Sequence, residues 1–436
     1  MAHNTVKAGF SALVERLNLY PQGATASELL YKILQILFKD NEASLVAALP
    51  IKPFTSRRAA SIWQMPEAKA RDILESLADK GLLVDMAHGK NTLYSLPPPM
   101  AGFFEFSLMR VRSDIDQKAL SELFFQYLNV EEDFIKDLFT EGETQLGRVF
   151  VNEQAISQKS NLMVLDYEKA SEVFETASAM AVGMCYCRHK MLHLGRACEA
   201  PMDICMTFNV AAESLIRHGN ARRIDKKECY DLLQQAYDNN LVQFGENVRE
   251  SVNFICNCCG CCCEALLAAK KFAILHPVHT TNFLPEIIKD KCVGCGKCVS
   301  VCPVASISLV SADDSSAPTR KVAQVNVEAC LGCGLCFKNR TRDCIDLKAR
   351  DKRVITPVNG THLRVLMAIE RGKLQNFIFD NRVLWHHRAL AAVLGAILSL
   401  PPVKQALANE QIKSRYLAFI SERFEKHYYR PADEKR

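Results

Sequence analysis

Two runs of cysteines with the same spacing lie between residues 292 and 344. Each run reads C-x₂-C-x₂-C, and a further cysteine follows each run at a greater distance. In chain order the eight residues are Cys292, Cys295, Cys298, Cys302, Cys330, Cys333, Cys336 and Cys344. Thiolates are preferred ligands of iron and zinc, and the short x₂ spacing wraps the backbone tightly around one compact centre. Glycines inside both runs permit such turns, so the spacing predicts two thiolate-ligated metal centres.

The repeat resembles the bacterial ferredoxin domain that holds two [4Fe–4S] clusters, in which the fourth cysteine of each run ligates the other cluster. The resemblance implies one cluster on Cys292, Cys295, Cys298 and Cys344, and a second on Cys330, Cys333, Cys336 and Cys302. The first run matches the family pattern, including Pro303 after its last cysteine. The second departs from it, because seven residues separate Cys336 from Cys344 and Ile345 replaces the usual proline. Two zinc sites are the alternative, which the paired runs and the Cys-Pro step argue against.

Eleven more cysteines lie between residues 185 and 263, six of them within eight positions, and all but Cys229 are candidate metal ligands. The candidates are Cys185, Cys187, Cys198, Cys205, Cys256, Cys258, Cys259, Cys261, Cys262 and Cys263. Crowded free thiols oxidise readily, so we expect this set to bind metal. Ten thiols fit two further cubanes with two spare, one unusual cluster, or a cluster beside a zinc. Neighbouring residues of an extended chain point to opposite faces, so Cys258 and Cys259 are not expected to serve one metal without a turn.

Three other residues in this region are expected to have structural roles. Cys229 shares a predicted helical face with Leu232 and Leu233, which indicates a core position. His189 and His193 are four residues apart, and exposed helix positions are favoured over metal ligation for both.

The elements that must position these thiols predict an α+β multidomain protein of five regions. Residues 1–100 are interpreted as a mainly helical, winged-helix-like domain, with a helix at Ser56–Trp63 and strands at Leu82–Val84 and Thr92–Leu96. Residues 101–180 are interpreted as a helical connecting region. A cysteine-rich α/β domain follows at 181–280, with a strand at Val252–Ile255 leading into the cysteines. The two-cluster ferredoxin domain occupies 285–352. Residues 353–436 are predicted to be helical, with a buried apolar helix at 384–400 and a charged one at 411–429.

The winged-helix-like region invites the hypothesis of DNA binding through its helix at residues 66–80. That helix carries three basic residues, Lys69, Arg71 and Lys80, against four acidic ones, Glu67, Asp72, Glu75 and Asp79. DNA-binding helices need several cations on one face to neutralise phosphates. The charge balance therefore favours a docking or dimerisation module over a DNA-binding one.

Composition narrows the class of protein further. The 436 residues are 49% apolar and 24% charged with a net charge of +5, which is ordinary for a globular protein and too small to indicate a polyanion partner. The N-terminus has no secretory pattern, so nineteen cysteines suggest a reducing cytoplasm and thiols used for metal. The apolar run at 389–403 is too short for a transmembrane helix. No phosphate loop or dinucleotide fingerprint is present.

These features predict an iron–sulfur protein that relays single electrons through its two [4Fe–4S] clusters as a module or subunit of a redox system. Eleven basic residues against eight acidic ones at 286–352 suggest an acidic redox partner. Two alternatives stay open: a redox-sensing transcription regulator, and a reductase with a catalytic metal centre at Cys256–Cys263. The C-x-C-Arg-His element, the crowded cysteines and the ferredoxin repeat also resemble a group of bacterial iron–sulfur proteins with an N-terminal winged-helix-like part. That resemblance implies the layout of the chain and no particular activity.

Overall fold

Both cysteine sets fall in one of two compact units. The computed structural model describes residues 2–88, 91–156, 164–312, 318–379, 385–398 and 400. One unit comprises Met1–Thr144, Val210–Arg222 and Val358–Arg436, and the other comprises Gln145–Asn209 and Arg223–Pro357. Helices and small sheets occur in both, so the mixed α and β content predicted from the sequence is confirmed. No helix among the described residues has the length and hydrophobicity needed to cross a bilayer.

The unit without the metal-site cysteines is mainly helical. Its helices are Ala2–Leu19, Glu28–Leu37, Asp40–Ala47, Ser56–Trp63, Glu67–Asp79, Phe104–Phe106, Gln117–Asn129, Asp133–Thr140, Gly360–Glu370, Leu374–Ile378 and Trp385–Leu398, with Asn209–Arg217 from Val210 onward. Three antiparallel strands, Phe54–Thr55, Asn91–Ser95 and Val84–His88, form its sheet in that order. Local caps explain several helix starts, as where the Ser27 hydroxyl accepts a hydrogen bond from the Leu30 amide.

Some sequence expectations for this unit need correction. Leu82 and Leu83 precede the strand Val84–His88 instead of forming it, because Gly81 has a φ of 73° and ends the preceding helix in a turn. Helix Ala2–Leu19 was not predicted. Helix Trp385–Leu398 exists, but the prediction that it is buried is wrong for its described residues: Ala391 is its buried residue, whereas Trp385 is 72% exposed. The helix predicted at 411–429 lies outside the described residues.

The cysteine-bearing unit contains a six-stranded sheet. Its strands in spatial order are Gly147–Val149, Val242–Glu246, Phe254–Cys258, Asp203–Phe208, Met180–Met184 and Arg222–Arg223. Helices Glu153–Ile156, Ala170–Thr176, Tyr186–His193, Lys226–Asp238 and Glu264–Lys271, with the 3₁₀ turn Asp166–Glu168, connect the strands. The predicted strand at Val252–Ile255 lies two residues further along the chain, so that Cys256 and Cys258 belong to the strand instead of following it. Strand Asp203–Phe208, which carries Cys205, was not predicted.

The ferredoxin segment of this unit has an internal repeat. Strand Phe283–Ile287 pairs antiparallel with Ile345–Ala349, and Ile307–Ser311 pairs antiparallel with Lys321–Val325. The short helices Lys297–Ser300 and Leu335–Lys338 each begin after a glycine with positive φ, Gly296 or Gly334. A 3₁₀ turn, Lys289–Lys291, precedes the first run. The two runs of cysteines therefore occupy equivalent turn-and-helix positions.

Candidate metal centres

The x₂ loops of the ferredoxin segment depend on glycine. Gly294 has a φ of 66°, and a Cβ atom there would lie 2.4 Å from the Lys321 carbonyl oxygen. In the second run, Gly332 has a φ of 72°, and its Cβ would lie 2.2 Å from both the Phe283 carbonyl oxygen and the Thr281 hydroxyl oxygen. A side chain at either position would meet both backbone strain and a steric clash. The glycines noted in the sequence thus allow the thiol-bearing turns to pack against neighbouring strands.

The last cysteine of the first run lies with the second run. Cys302, Cys330, Cys333 and Cys336 line one cavity, together with apolar residues such as Leu331 and Ile307. Burial raises the pKa of Cys333 to about 12, and the neighbouring Cys302 and Cys330 thiolates add to the shift. Cys302 is held by the Ser306 amide, which donates a hydrogen bond of 3.2 Å to its sulfur. A metal cluster that takes thiolates would offset the burial, and the smaller charge repulsion, that raise the pKa values of these thiols.

Cys344 correspondingly lies with the first run. Burial raises its pKa, as do the nearby charges of Cys292 and Cys295. The Ala323 amide donates a 3.4 Å hydrogen bond to the Cys292 sulfur. The segment that lengthens the second run also reaches this centre, because the Thr341 hydroxyl oxygen lies 3.5 Å from the Cys295 sulfur. The longer spacing between Cys336 and Cys344 is therefore compatible with the first centre and supplies it with a polar neighbour.

The second cysteine set divides into two groups. Six thiols form a closed ring, here called the six-thiol ring, in which each sulfur hydrogen-bonds to two others. The order around the ring is Cys185, Cys187, Cys263, Cys258, Cys256, Cys205 and back to Cys185. Hydrogen bonds from their neighbours lower the pKa values of Cys185, Cys263 and Cys256 and raise those of Cys187, Cys258 and Cys205. The protonation of each ring thiol therefore depends on its two neighbours.

Three neighbouring strands and two helix starts assemble the ring. Cys185 follows strand Met180–Met184, and Cys187 lies in the first turn of the next helix. Cys205 lies opposite Gly183 on the adjacent strand. Cys256 and Cys258 lie two residues apart on strand Phe254–Cys258 and so share one face, and Cys263 is the N-cap of helix Glu264–Lys271.

The remaining four thiols form a tighter cluster, here called the four-thiol group: Cys198, Cys259, Cys261 and Cys262. All four sulfurs lie within 4.8 Å of one another. The Cys198–Cys259, Cys261–Cys262 and Cys198–Cys262 sulfur distances are 3.6, 3.8 and 3.9 Å. Cys258 and Cys259 separate as expected for extended chain, since Cys258 belongs to the ring and Cys259 to the group, whereas the adjacent Cys261 and Cys262 both belong to the group.

A buried arginine that sequence reasoning missed lies between the two groups. Arg188 is 0% exposed, and its guanidinium donates to the carbonyl oxygens of Pro201 at 2.8 Å and Asn257 at 2.7 Å. Burial alone would lower its pKa, but the ring thiolate Cys185 and the group thiolate Cys259 raise it above its ordinary value. Its position directly after Cys187 was the one sequence signal for this role.

Other polar residues of the same helix are also buried. Lys190 forms a buried ion pair with Glu264, which also accepts a 3.1 Å hydrogen bond from the Tyr186 hydroxyl. The prediction of an exposed His189 is wrong: it is buried, and its Nε2 lies 3.2 Å from that of His193. Cys229 is buried on helix Lys226–Asp238, as predicted. The buried face of helix Tyr186–His193, together with Glu264, therefore gives the ring polar and charged surroundings.

The cysteine-rich and ferredoxin segments touch within the second unit. A Cβ atom on Gly260, between Cys259 and Cys261, would lie 2.5 Å from the Pro303 carbonyl oxygen. Asn339, in the longer stretch between Cys336 and Cys344, donates a 2.8 Å hydrogen bond to the Asn240 side chain. The four-thiol group thus lies beside the turn that carries Cys302.

Comparisons with known proteins agree with the ferredoxin geometry. Residues 291–339 match the family described as the 4Fe-4S dicluster domain, a range that includes every cysteine of the two runs except Cys344. Ferredoxin-3 of Nostoc sp. (strain PCC 7120) is 35% identical over 75 residues, which cover 15% of this chain and 77% of that relative. No solved structure matches the chain significantly.

The chain therefore belongs to the 4Fe-4S dicluster ferredoxin family through this segment. Its donor set fits that class, because buried thiols surround a cavity in turns that require glycine. An iron–sulfur role in electron transfer follows from this membership.

Proposed function

We propose that this protein relays single electrons through two [4Fe–4S] clusters held by residues 285–352, as a module or subunit of a redox system. The observation that supports this proposal most strongly is that the last cysteine of each run lies beside the other run. Cys302 shares a cavity with Cys330, Cys333 and Cys336, which supports their joint ligation of one cluster. Cys344 lies near Cys292 and Cys295, which supports the second set with Cys298. Each cluster, when bound, accepts and releases one electron.

The chain's own residues would set how readily the centres change charge. The Ser306 amide donates to the Cys302 sulfur, and the Ala323 amide donates to that of Cys292. Hydrogen bonds to cluster sulfurs favour the more negative, reduced state. Burial of Cys292, Cys298, Cys330, Cys336 and Cys344 limits the access of water.

The cysteine-rich segment at 181–280 is proposed to bind metal through its ten thiols and to exchange electrons with the ferredoxin segment. The packing of Gly260 against Pro303 supports this, because it joins the loop of the four-thiol group to the turn of Cys302. A reductase with a catalytic centre at Cys256–Cys263 is the second candidate. The observation that favours it is the exposure of Cys261, since a substrate could reach that thiol from solvent.

The partner is proposed to be an acidic redox protein in the cytoplasm. Lys289, Lys291 and Lys297 surround the first run and suit such a partner. The N-terminal winged-helix-like region is proposed to dock or dimerise, because helix Glu67–Asp79 mixes basic and acidic residues and Glu67 forms ion pairs with Arg57 and Arg71.

Anaerobic purification of the full chain with iron and sulfide analysis tests the relay. Two clusters require about 8 iron and about 8 sulfide ions per chain. Electron paramagnetic resonance (EPR) of the reduced protein should show two interacting clusters. Cys229→Ser, in a buried thiol of the helical core, should leave both signals unchanged. Iron at or below about 4 per chain after full reconstitution would contradict the two-cluster proposal.

A further inference from the structure

The four-thiol group has the dimensions of a site for a single metal ion. Zinc binds thiolates at about 2.3 Å in a tetrahedron, whose edges are then about 3.8 Å long. The Cys198–Cys259, Cys261–Cys262 and Cys198–Cys262 sulfur separations of 3.6, 3.8 and 3.9 Å agree with that edge length. In a cubane each thiolate binds a different iron at a separate corner, so the thiolate sulfurs lie farther apart than on one ion.

The ferredoxin cysteines provide an internal reference for this argument. In the described part of the chain, the four-thiol group is the set of potential ligands whose donor atoms all lie within 4.8 Å of one another. Neither ferredoxin set is that compact, although both are also sets of four cysteines. Among the described residues, the mutual approach of all four sulfurs is therefore specific to Cys198, Cys259, Cys261 and Cys262, whereas each sulfur of the six-thiol ring approaches only two neighbours.

The surroundings fit a site with excess negative charge. One divalent ion with four thiolates carries a net charge of about −2, which is costly to bury without compensation. Arg188 is buried, is fixed by two backbone carbonyl groups, and lies close enough to Cys259 for their charges to interact. Its cation therefore lies where a tetrathiolate site requires one.

We infer that Cys198, Cys259, Cys261 and Cys262 bind one zinc ion as a structural tetrathiolate site, separate from the six-thiol ring. Zinc suits this donor set because it has no electronic preference that an irregular C-x-C-C loop would violate. It also exceeds ferrous iron in affinity for a given site. The inference rests on the proposal that the second cysteine set binds metal, but not on the electron relay.

The position of the four cysteines in the chain indicates a structural role for the ion. Cys198 lies between the ring residues Cys187 and Cys205, and the other three ligands lie between the ring residues Cys258 and Cys263. One ion therefore ties together the two loops whose ends carry ring thiols. The same ion holds Gly260 in the loop that contacts Pro303.

Metal analysis of the anaerobically purified full chain tests the site. We expect about one zinc ion per chain, and zinc-edge X-ray absorption should show four sulfurs at about 2.3 Å. Cys198→Ser and Cys262→Ser should each reduce zinc about tenfold or more, because a structural site needs all four ligands. Cys229→Ser and the ring variant Cys187→Ser are the matched controls and should keep the ion.

Iron counts and EPR distinguish this inference from the proposed relay. Cys198→Ser should leave the signals of the ferredoxin clusters intact, which also shows that the variant is folded. Cys298→Ser should damage a ferredoxin cluster and leave zinc unchanged. Iron in place of zinc at the four sulfurs, or full zinc occupancy in both Cys198→Ser and Cys262→Ser, would overturn the inference. If a variant fails to fold, the zinc-edge spectrum of the unmodified protein still shows whether four sulfurs bind the ion, and an ion with other ligands would contradict the tetrathiolate site.

Discussion

The two cysteine-bearing segments bring thiols together in different ways. In the ferredoxin segment, three cysteines of each proposed centre come from one continuous turn, and the fourth comes from the other half of the repeat. In the cysteine-rich segment, three adjacent strands and two helix starts contribute to one ring, and the intervening loops contribute to a second group. A local motif can therefore bring most cysteines of a proposed centre together by itself. Thiols that are scattered along the chain are grouped only by the strands and loops that carry them.

The largest expected effect concerns the crossed ligands. Cys302→Ser should remove the cluster of Cys330, Cys333 and Cys336, and Cys344→Ser should remove that of the first run, because serine is a harder and weaker ligand. Iron in the ferredoxin segment should fall from about 8 to about 4 ions, and the interaction between clusters in the EPR spectrum should vanish.

Crystal structures of the two variants identify which cluster is lost, with Cys229→Ser as the control. Loss of metal from Cys292, Cys295 and Cys298 in Cys302→Ser, with the second run fully occupied, would show that the ligands are not crossed.

A smaller effect, on stability, is expected at Arg188, whose charge interacts with thiolates of both the six-thiol ring and the four-thiol group. Arg188→Gln should destabilise the metal-loaded protein by about 3–5 kcal/mol, because it leaves buried negative charge without its partner. Arg188→Lys restores the charge without the paired hydrogen bonds and should recover part of the loss. Denaturant unfolding under anaerobic conditions measures both variants. Equal destabilisation by the two would point to packing instead of charge.

Disruption of the contact between Gly260 and Pro303 should lower the free energy of unfolding by about 1–3 kcal/mol. Gly260→Ala puts a Cβ 2.5 Å from the Pro303 carbonyl oxygen, so the loop must shift. We expect lower stability and, by stopped-flow absorption, slower reduction of the metal bound by the six-thiol ring, with metal content unchanged. Gly195→Ala is the control for the reduction rate, since alanine is strained at its φ of 66° but its Cβ would meet no atom within 4 Å. An unchanged reduction rate in Gly260→Ala would argue against electron exchange at this contact.

The smallest effect, on a reduction potential, is expected at Thr341, in the longer stretch between Cys336 and Cys344. Thr341→Val removes the hydroxyl that lies 3.5 Å from the Cys295 sulfur. Because hydrogen bonds to cluster sulfurs raise the reduction potential, the potential of the first-run cluster should fall by roughly tens of mV. A redox titration followed by EPR measures it, with Ser300→Ala as control, since the Ser300 hydroxyl bonds to the Lys297 carbonyl oxygen. A shift confined to the other cluster would separate Thr341 from the centre that it contacts.

Elements with strong local signals were predictable, and those set by distant partners were not. Helix Ser56–Trp63 has its predicted bounds. The Thr55 hydroxyl caps its start by accepting a hydrogen bond from the Arg58 amide, and Gln64 ends it in a left-handed conformation. Strand Asp203–Phe208 was missed although it is central, since its stability comes from pairing with strands on both sides. Helix Trp385–Leu398 was expected to be buried on hydrophobicity alone, which indicates apolar character but not what covers it.

For the metal centres, the amino-acid sequence by itself determined the ferredoxin runs, their glycines and the expectation that the second set binds metal. These features depend on spacing within a few residues, where the backbone geometry is nearly the same in any fold. Only the tertiary structure decided the division of ten thiols into a ring of six and a group of four, and the burial of Arg188 between them. Cys198 and Cys259 are 61 residues apart, and only the packing of the loops next to the sheet brings their sulfurs to 3.6 Å.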